Sequence, residues 1–340
     1  MSITIRDVAQ RAGVSVATVS RVINRSGVVS EETRRRVEAA SAELRYHPHG
    51  AARSLITRRT NAFGVVLPDL YGEFFSEVIR GMDPLAQESG YHLLLSSSHD
   101  DLRQIQFALG AMRGRVDGLI VMSPNVAGPE LAPSLPPDLP VVLLNCDVGG
   151  CSFTAINVDN YGGALSIVRH LVALGHRRIA MVKGVESNFD ARERLRGFRA
   201  AVAEADGVEG IEVDGDFTED GGWRAAGALM ARDPRPTAVF CANDSMAVGA
   251  ISAFGAAGLR VPGDVAVAGF DDIPIARYLA PPLSSVRVDV HRLGARAVEL
   301  LSAAVAGDGG GDTPAQELLP TRLAVRRSCG AGGAPDTPVS

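Results

Sequence analysis

The sequence is poor in cysteine, tryptophan and lysine, and it lacks the short motifs that mark a catalytic centre. Its 340 residues include four cysteines, Cys146, Cys151, Cys241 and Cys329. They form no CxxC pair and have no histidine at metal-ligand spacing, which argues against a zinc site and a disulfide framework. Reduced thiols in a cytoplasmic protein are expected. No GxSxG elbow, P-loop, GxGxxG or HExxH occurs, so neither an enzyme nor a bound cofactor is expected. Asp271-Asp272 is an adjacent carboxylate pair without acid/base partners; a ligand contact or a turn is its expected role. The N-terminus carries no charged-then-apolar leader, and no apolar run is long enough to span a bilayer. A soluble, cytoplasmic chain with no membrane association is expected. No leucine heptad near the C-terminus suggests a coiled-coil tetramer.

Charge of one sign is scarce where it matters. The net charge is −5, which by itself does not suggest a nucleic-acid partner. Residues 1–60, however, hold 11 arginines against 5 acidic residues, while the remainder holds 23 basic against 34 acidic residues. A basic head on an acidic body puts a phosphate-attracting field at one end of the chain. All the basic residues except Lys183 are arginine. That bias runs through the whole chain, so the choice of Arg over Lys says little at any one position.

The basic region contains IRDVAQRAGVSVATVSRVIN, residues 5–24. Thr4 and Asp7 suit a helix start, with Val8, Ala9 and Ala12 on one apolar face. Gly13 stops that helix, because glycine adopts a left-handed φ without steric cost. Ser15 is placed to cap a second helix whose apolar face is Val19, Val22 and Ile23. The other face shows Val16, Ala17, Thr18, Ser20, Arg21 and Asn24, small and polar enough to enter a major groove. This reads as a helix-turn-helix; a helical hairpin inside a larger core is the plainer alternative. A third helix opens at Ser30 with Glu31 and Glu32 in its first turn, and Val37, Ala40 and Leu44 face the first two helices. Tyr46 and Pro48 close the bundle.

Residues 49–60 are basic and too short for a stable free helix. They are either a plain linker or a segment that folds on DNA, with Leu55 wedged into a minor groove. Beyond Ala62, buried strands alternate with helices. Strands are expected at 63–68, 92–97, 118–122, 140–144, 178–182, 238–241 and 265–269, with helices such as 77–89 and 163–174 between them. Two runs of βα units imply two lobes with doubly wound parallel sheets and a ligand cleft at the strand ends. The GDGGGD stretch at 307–312 reads as a flexible loop, 318–325 as a last strand and 330–340 as a disordered tail. His170 and His176 flank a helix end, where capping is the expected role.

Several of these stretches together resemble the lactose-repressor/galactose-repressor (LacI/GalR) family of bacterial transcription regulators. They are TIRDVAQRAGVSVATVSRVIN, RVEAASAELRYHP and ARSL in the head. In the body they are HLVALGHRRIA, RLRGF, FCANDSMAVGA, GLRVPGDVAVAGFDD and PPLSSVRVD. The resemblance covers residues 3–329 and implies a three-helix DNA-binding domain over 1–48 and a hinge helix over 49–60. It also implies a two-lobed α/β body like that of periplasmic binding proteins. The chain would cross between lobes three times, giving a first lobe of 61–158 and 290–317 and a second of 159–289 and 318–329. It further implies a homodimer that binds a pseudo-palindromic double-stranded operator, and a small-molecule effector, a sugar, between the lobes. Repression of carbohydrate-metabolism genes is the activity it suggests. The DNA contacts it implies are Thr4, Ser15, Val16, Ala17, Thr18, Ser20, Arg21, Asn24, Tyr46, Ala52 and Leu55. The effector contacts it implies are Phe74, Asn145, Asp190, Arg194, Phe217, Asn243 and Asp271. Aromatic faces suit the C–H face of a pyranose, and carboxylate, amide and guanidinium groups suit its hydroxyls. Arg194 and Asp271 equally suit a structural ion pair. Asn145 and Val288 depart from residues that several sugar-responsive relatives carry. An exported solute-binding protein, a sugar-modifying enzyme and a regulator with a phosphorylated protein partner are the competing readings. The basic head and the missing catalytic motifs speak against the first two.

Overall fold

A computed structural model describes residues 3–23, 27–46, 59–99, 101–307 and 314–331. The chain divides into two compact units, Met1–Thr60 and Asn61–Ser340.

The small unit contains helices α1 (Ile5–Ala12), α2 (Val16–Ile23) and α3 (Glu31–Glu43). Thr4 starts α1 by donating its backbone N–H (2.7 Å) and hydroxyl (2.8 Å) to Asp7 Oδ2. These two bonds hold the Asp7 carboxyl below its usual range. Gly13, at φ 63°, ends the helix in a left-handed turn. Two residues later Ser15 Oγ accepts the Thr18 N–H at 3.1 Å and opens α2. Ser30 caps α3 in the same way through Thr33. Arg36, on α3, donates to the Ala12 carbonyl at 2.6 Å, where α1 has run out of intrahelical donors. Val8, Ala9, Ala12, Val19, Val22, Val37 and Ala40 form the core, with Ile23, Leu44 and Tyr46 packed at its edge. Each helix is too short to persist alone, so the fold depends on this shared core. The small residues allow the close approach that the helix-turn-helix needs.

The large unit contains two six-stranded sheets. The first carries β1 (Ala62–Leu67), β2 (His92–Ser97), β3 (Gly118–Met122), β4 (Val141–Leu144), β5 (Thr154–Val158) and β11 (Gln316–Leu319), in spatial order β11-β5-β4-β3-β1-β2. The second carries β6 (Arg178–Val182), β7 (Glu209–Val213), β8 (Ala238–Cys241), β9 (Ala266–Asp271), β10 (Ser284–Arg287) and β12 (Arg322–Ala324), in order β12-β10-β9-β8-β6-β7. The central strands β1, β3, β8 and β9 are buried along their whole length, as parallel strands covered on both faces must be. The covering helices of the first lobe are α4 (Glu73–Glu88), α5 (Leu102–Met112), the short α6 (Gly128–Leu131) and α11 (Val290–Ala306). Those of the second are α7 (Asn160–Ala173), α8 (Phe189–Glu204), α9 (Glu219–Met230) and α10 (Asp244–Ala256).

The two sheets share one order, position for position, except in the direction of the last strand. β11 runs parallel to β5, whereas β12 runs antiparallel to β10. In a doubly wound sheet the parallel strands end at the ligand face. A chain that leaves the first lobe at that face enters the second at the same face, so it must run against the strands there. The last strand expected over 318–325 is therefore two strands in different sheets, broken at Pro320-Thr321.

Other details differ from the sequence expectations. The helices expected at 77–89 and 163–174 begin earlier, at Glu73 and Asn160. The histidine side chains do not cap the end of α7, although the backbone N–H of His176 does bond to the Leu171 carbonyl. His176 Nδ1 lies 3.0 Å from Thr237 Oγ1, and His170 Nε2 lies 3.5 Å from the buried Cys329 Sγ. Backbone N–H groups of residues 174–176 satisfy the last carbonyls instead. Residues 308–313 and 332–340 lie outside the described residues, and with them most of the expected loop and tail.

Candidate functional site

Two surfaces carry the expected site residues. In the small unit, the α2 face away from the core holds Val16, which is 41% exposed, with Ala17 and Arg21 exposed and Thr18 and Ser20 half-buried. Thr4 and Ser15 are exposed at the starts of α1 and α2, and Thr18 Oγ1 is 2.9 Å from Ser15 Oγ. Tyr46 is half-buried against the core of this unit. Asn24, Ala52 and Leu55 lie outside the described residues.

In the large unit, all seven residues expected to contact an effector line one cleft of about 270 Å³ between the lobes. The first lobe supplies Phe74 from the start of α4 and Asn145 from just beyond β4. The second supplies Asp190 and Arg194 from α8, Phe217 from beyond β7, Asn243 from beyond β8 and Asp271 from the end of β9.

The polar floor is a continuous chain of hydrogen bonds. Arg194 is buried and stacks on the Phe270 ring, its guanidinium carbon 3.8 Å from the centroid. Its Nε donates to Asn160 Oδ1 at 2.8 Å, one Nη to the Ala242 carbonyl and the other to Asp271 Oδ1 at 3.1 Å. Arginine only donates, so Asn160 must turn its oxygen to Arg194 and its nitrogen to Asp190 Oδ1, at 2.8 Å. The second oxygen of Asp190 accepts Asn145 Nδ2 at 2.7 Å. Burial pushes the Asp190 carboxyl up, and Arg194 with the two amides pulls it back. Burial also pushes Asp271 up to about 6, against the opposing pull of Arg194. The Arg194–Asp271 ion pair is thus present, and both members also line the cleft.

The walls are built under backbone constraint. Asn145, Phe217 and Asp271 have φ of 46°, 67° and 105°, values that non-glycine residues seldom adopt. Phe217 is held there by its carbonyl, which accepts Asn243 Nδ2 at 2.9 Å. Its ring packs on Gly184, where a Cβ would sit 2.2 Å from the ring. The Asp271 turn is fixed from behind. Asp272 pairs with Arg287 and Arg326, each at 2.6 Å, and Asp244 accepts the Ile273 N–H at 2.8 Å. Val288 is buried but does not line the cleft. Cys146 follows Asn145 but packs into the core of the first lobe, and burial pushes its thiol up to about 12.

Sequence reasoning missed the contacts that join the lobes across the cleft. Asn188 Nδ2 donates to Asn125 Oδ1 at 2.8 Å, and the Phe189 N–H donates to the Pro124 carbonyl at 2.7 Å. On the other side the Ile275 N–H donates to Glu73 Oε2 at 2.8 Å. A signal existed for one pair: Pro124-Asn125 follows the expected strand 118–122 at its carboxyl end, and Asn188 caps α8.

Comparison with known proteins decides the family. Residues 4–49 match the family described as bacterial regulatory proteins, lacI family, and residues 168–329 match the periplasmic binding protein-like domain. The chain is 38% identical over 304 residues to the HTH-type transcriptional repressor PurR of Pectobacterium carotovorum, covering 88% of this chain and 89% of that protein. The chain belongs to the lacI family. The PurR of Proteus mirabilis is likewise 38% identical, over 97% of each chain. Among solved members of the lacI family, the lac repressor dimer bound to operator and the anti-inducer ONPF is 30% identical. It superimposes with a TM-score of 0.88, covering 97% of this chain and all 100% of the other. The transcriptional regulator CelR in complex with cellobiose is 32% identical, with a TM-score of 0.71 over 96% and 99% of the two chains. As a lacI-family member the chain is a DNA-binding transcription regulator.

Proposed function

We propose that this protein is a cytoplasmic transcriptional repressor, not an enzyme. It binds a pseudo-palindromic operator as a homodimer and is controlled by a small molecule, a sugar, held in the interlobe cleft. In this reading residues 1–48 bind DNA, residues 49–60 form the hinge, and the seven cleft residues hold the effector. The regulated genes are those of carbohydrate metabolism. The observation that carries ligand control is the floor of the cleft. A buried arginine, two buried carboxylates and two amides are fixed at the meeting of two lobes, where movement of either lobe disturbs them. Burying such groups stabilises a protein little, so a binding role accounts for them better than a structural one. The sugar class is supported by Phe74 and Phe217 beside these polar groups. A second copy is supported by the edge strand β2, which leaves Leu94 and Leu95 exposed, with Phe107 exposed on α5. Among the described residues no helix is long and apolar enough to cross a membrane.

The test is selection of bound duplexes from a random library by the full-length protein. Two-fold symmetric sites are expected, and Arg21→Ala should weaken binding to them by about 1–3 kcal/mol in gel shifts at fixed salt. Selected sites without symmetry, or unchanged affinity of the variant, would count against the DNA part. A carbohydrate panel scored for release or tightening of the selected operator tests the effector part.

A further inference from the structure

The charge of the cleft limits what can enter it. Its lining includes six carboxylates, Asp69, Glu73, Asp190, Asp216, Glu219 and Asp271, and one cation, Arg194. Asp216 also has a cation outside the lining, Arg224, at 2.5 Å. Arg194 is poorly placed to serve an incoming anion. Its side chain is 5% exposed, its charge is already paired with Asp271, and three of its five N–H groups go to Asp271, Asn160 and the Ala242 carbonyl. Among the described residues the lining therefore carries an excess of negative charge that repels an anion, and its one guanidinium is already paired with a carboxylate.

A second, independent feature points to the group that does belong there. Asn145 is 1% exposed and lines the cleft, and its Oδ1 has no hydrogen-bond partner among the described residues. Its orientation is fixed. Asp190 accepts from Nδ2, and the fixed order Arg194, Asn160, Asp190 leaves no room for the amide to turn over. A buried acceptor without a donor is costly, and a donor from the ligand removes that cost. The volume, about 270 Å³, lies just below the roughly 300–1,000 Å³ usual for small-molecule clefts, which favours a ligand of monosaccharide size.

We infer that the effector is a non-anionic molecule of about monosaccharide size that donates a hydroxyl or amino hydrogen to Asn145 Oδ1, and that phosphorylated and carboxylated metabolites are excluded. This inference rests on the proposed role of the cleft as the effector site.

The test uses the full-length protein and matched pairs: glucose with glucose 6-phosphate, ribose with ribose 5-phosphate, galactose with galacturonate, and adenosine with its 5′-monophosphate. Glucosamine beside glucose separates an amino from a hydroxyl donor. Thermal shift finds binders and calorimetry ranks them. Within each binding pair, the anionic member is expected to bind roughly a hundredfold or more weaker. Inorganic phosphate is expected to give no shift beyond chloride at equal ionic strength. For the binding member, Asn145→Gly, which suits the φ of 46°, and Asn145→Ser should each cost about tenfold in affinity, with ligand-free melting used to verify folding. A phosphorylated or carboxylated member that binds as tightly as its partner overturns the charge rule. Undiminished affinity in both folded Asn145 variants overturns the donor assignment. Ligands that obey both rules yet leave operator affinity unchanged support the inference and overturn ligand control of DNA binding instead.

Discussion

The two lobes of the body share one strand order but build their sides of the cleft from different materials. The first presents Phe74, a half-buried ring at the start of α4, and Asn145, a buried neutral amide just beyond β4, and buries no charge there. The second presents Asp190, Arg194 and Asp271, all buried and tied to one another and to its own backbone. The same topology thus carries a compliant wall and a rigid one. The rigid wall doubles as the core of its lobe, because Arg194 stacks on Phe270, a fully buried ring of the second sheet. Substitutions in the second lobe should therefore disturb folding and binding together, and those in the first should separate them.

The largest effect expected from this difference is at Arg194. Arg194→Ala leaves Asp271 and Asp190 buried without their cation, which should destabilise the protein by about 3–5 kcal/mol in urea unfolding. From sequence alone the residue reads as a ligand contact or as half of a structural ion pair with Asp271. The structure makes it a support for the lobe as well. An unchanged unfolding midpoint would break the proposed asymmetry.

Next in size is the pH dependence of Asp271. Its carboxyl is raised by burial to about 6 from 3.8, so the folded protein holds its proton more tightly than the unfolded chain. The stabilisation from that proton is fully present below about pH 3.8 and is lost as pH rises through about 6. Asp271→Asn carries no such titration. The stability of the wild type minus that of the variant should fall across this window by up to about 3 kcal/mol. Paired urea titrations from pH 4 to pH 7 measure it, and a difference that rises with pH would show that Arg194 outweighs burial at this site.

These particulars mark what sequence could and could not yield. Strands 92–97, 118–122, 178–182 and 238–241 were legible because they are unbroken apolar runs or lie between turn residues. β10 was not, because its Ser284 and Ser285 are polar yet wholly buried, satisfied by Ser328, Arg326 and Asp244 from distant parts of the chain. β7 was missed because an exposed edge strand, EGIEV, needs little hydrophobicity. The cleft residues were legible through family motifs. The bonds among them were not, since Asn160 and Asp190 are 30 residues apart and Arg194 and Asp271 are 77 apart. Periodicity carries no information about such pairs; only the closed fold supplies it.

A smaller effect is expected on the compliant wall. Phe74 is half-buried and meets Phe75 edge-on at 5.4 Å. Phe74→Leu keeps most of the packing, so stability should change by less than about 1.5 kcal/mol. The ring face is lost, and effector affinity should fall by about 0.5–1.5 kcal/mol in calorimetry. A drop in stability as large as that of Arg194→Ala would mean that the first wall is as structural as the second.

The smallest effect concerns the ties between the walls. Asn125→Ala removes the acceptor for Asn188 Nδ2 and the weak 3.4 Å bond to Ser187. Each such bond is worth about 0.5–1.5 kcal/mol net, and the neighbouring bond from Phe189 to the Pro124 carbonyl remains. Because the lost bonds join the lobes at the cleft and lie outside the buried core, their loss should fall on cleft closure and spare the folding of either lobe. Urea midpoints should therefore hardly move. Effector affinity should weaken by about two- to tenfold, since ligand binding must then restore a closed arrangement that is less populated when free. Small-angle scattering of the ligand-free variant should show a larger radius of gyration that returns to the wild-type value on binding. If the affinity falls and the scattering does not change, Asn125 acts on the ligand directly and belongs to the first wall rather than to a tie between the two.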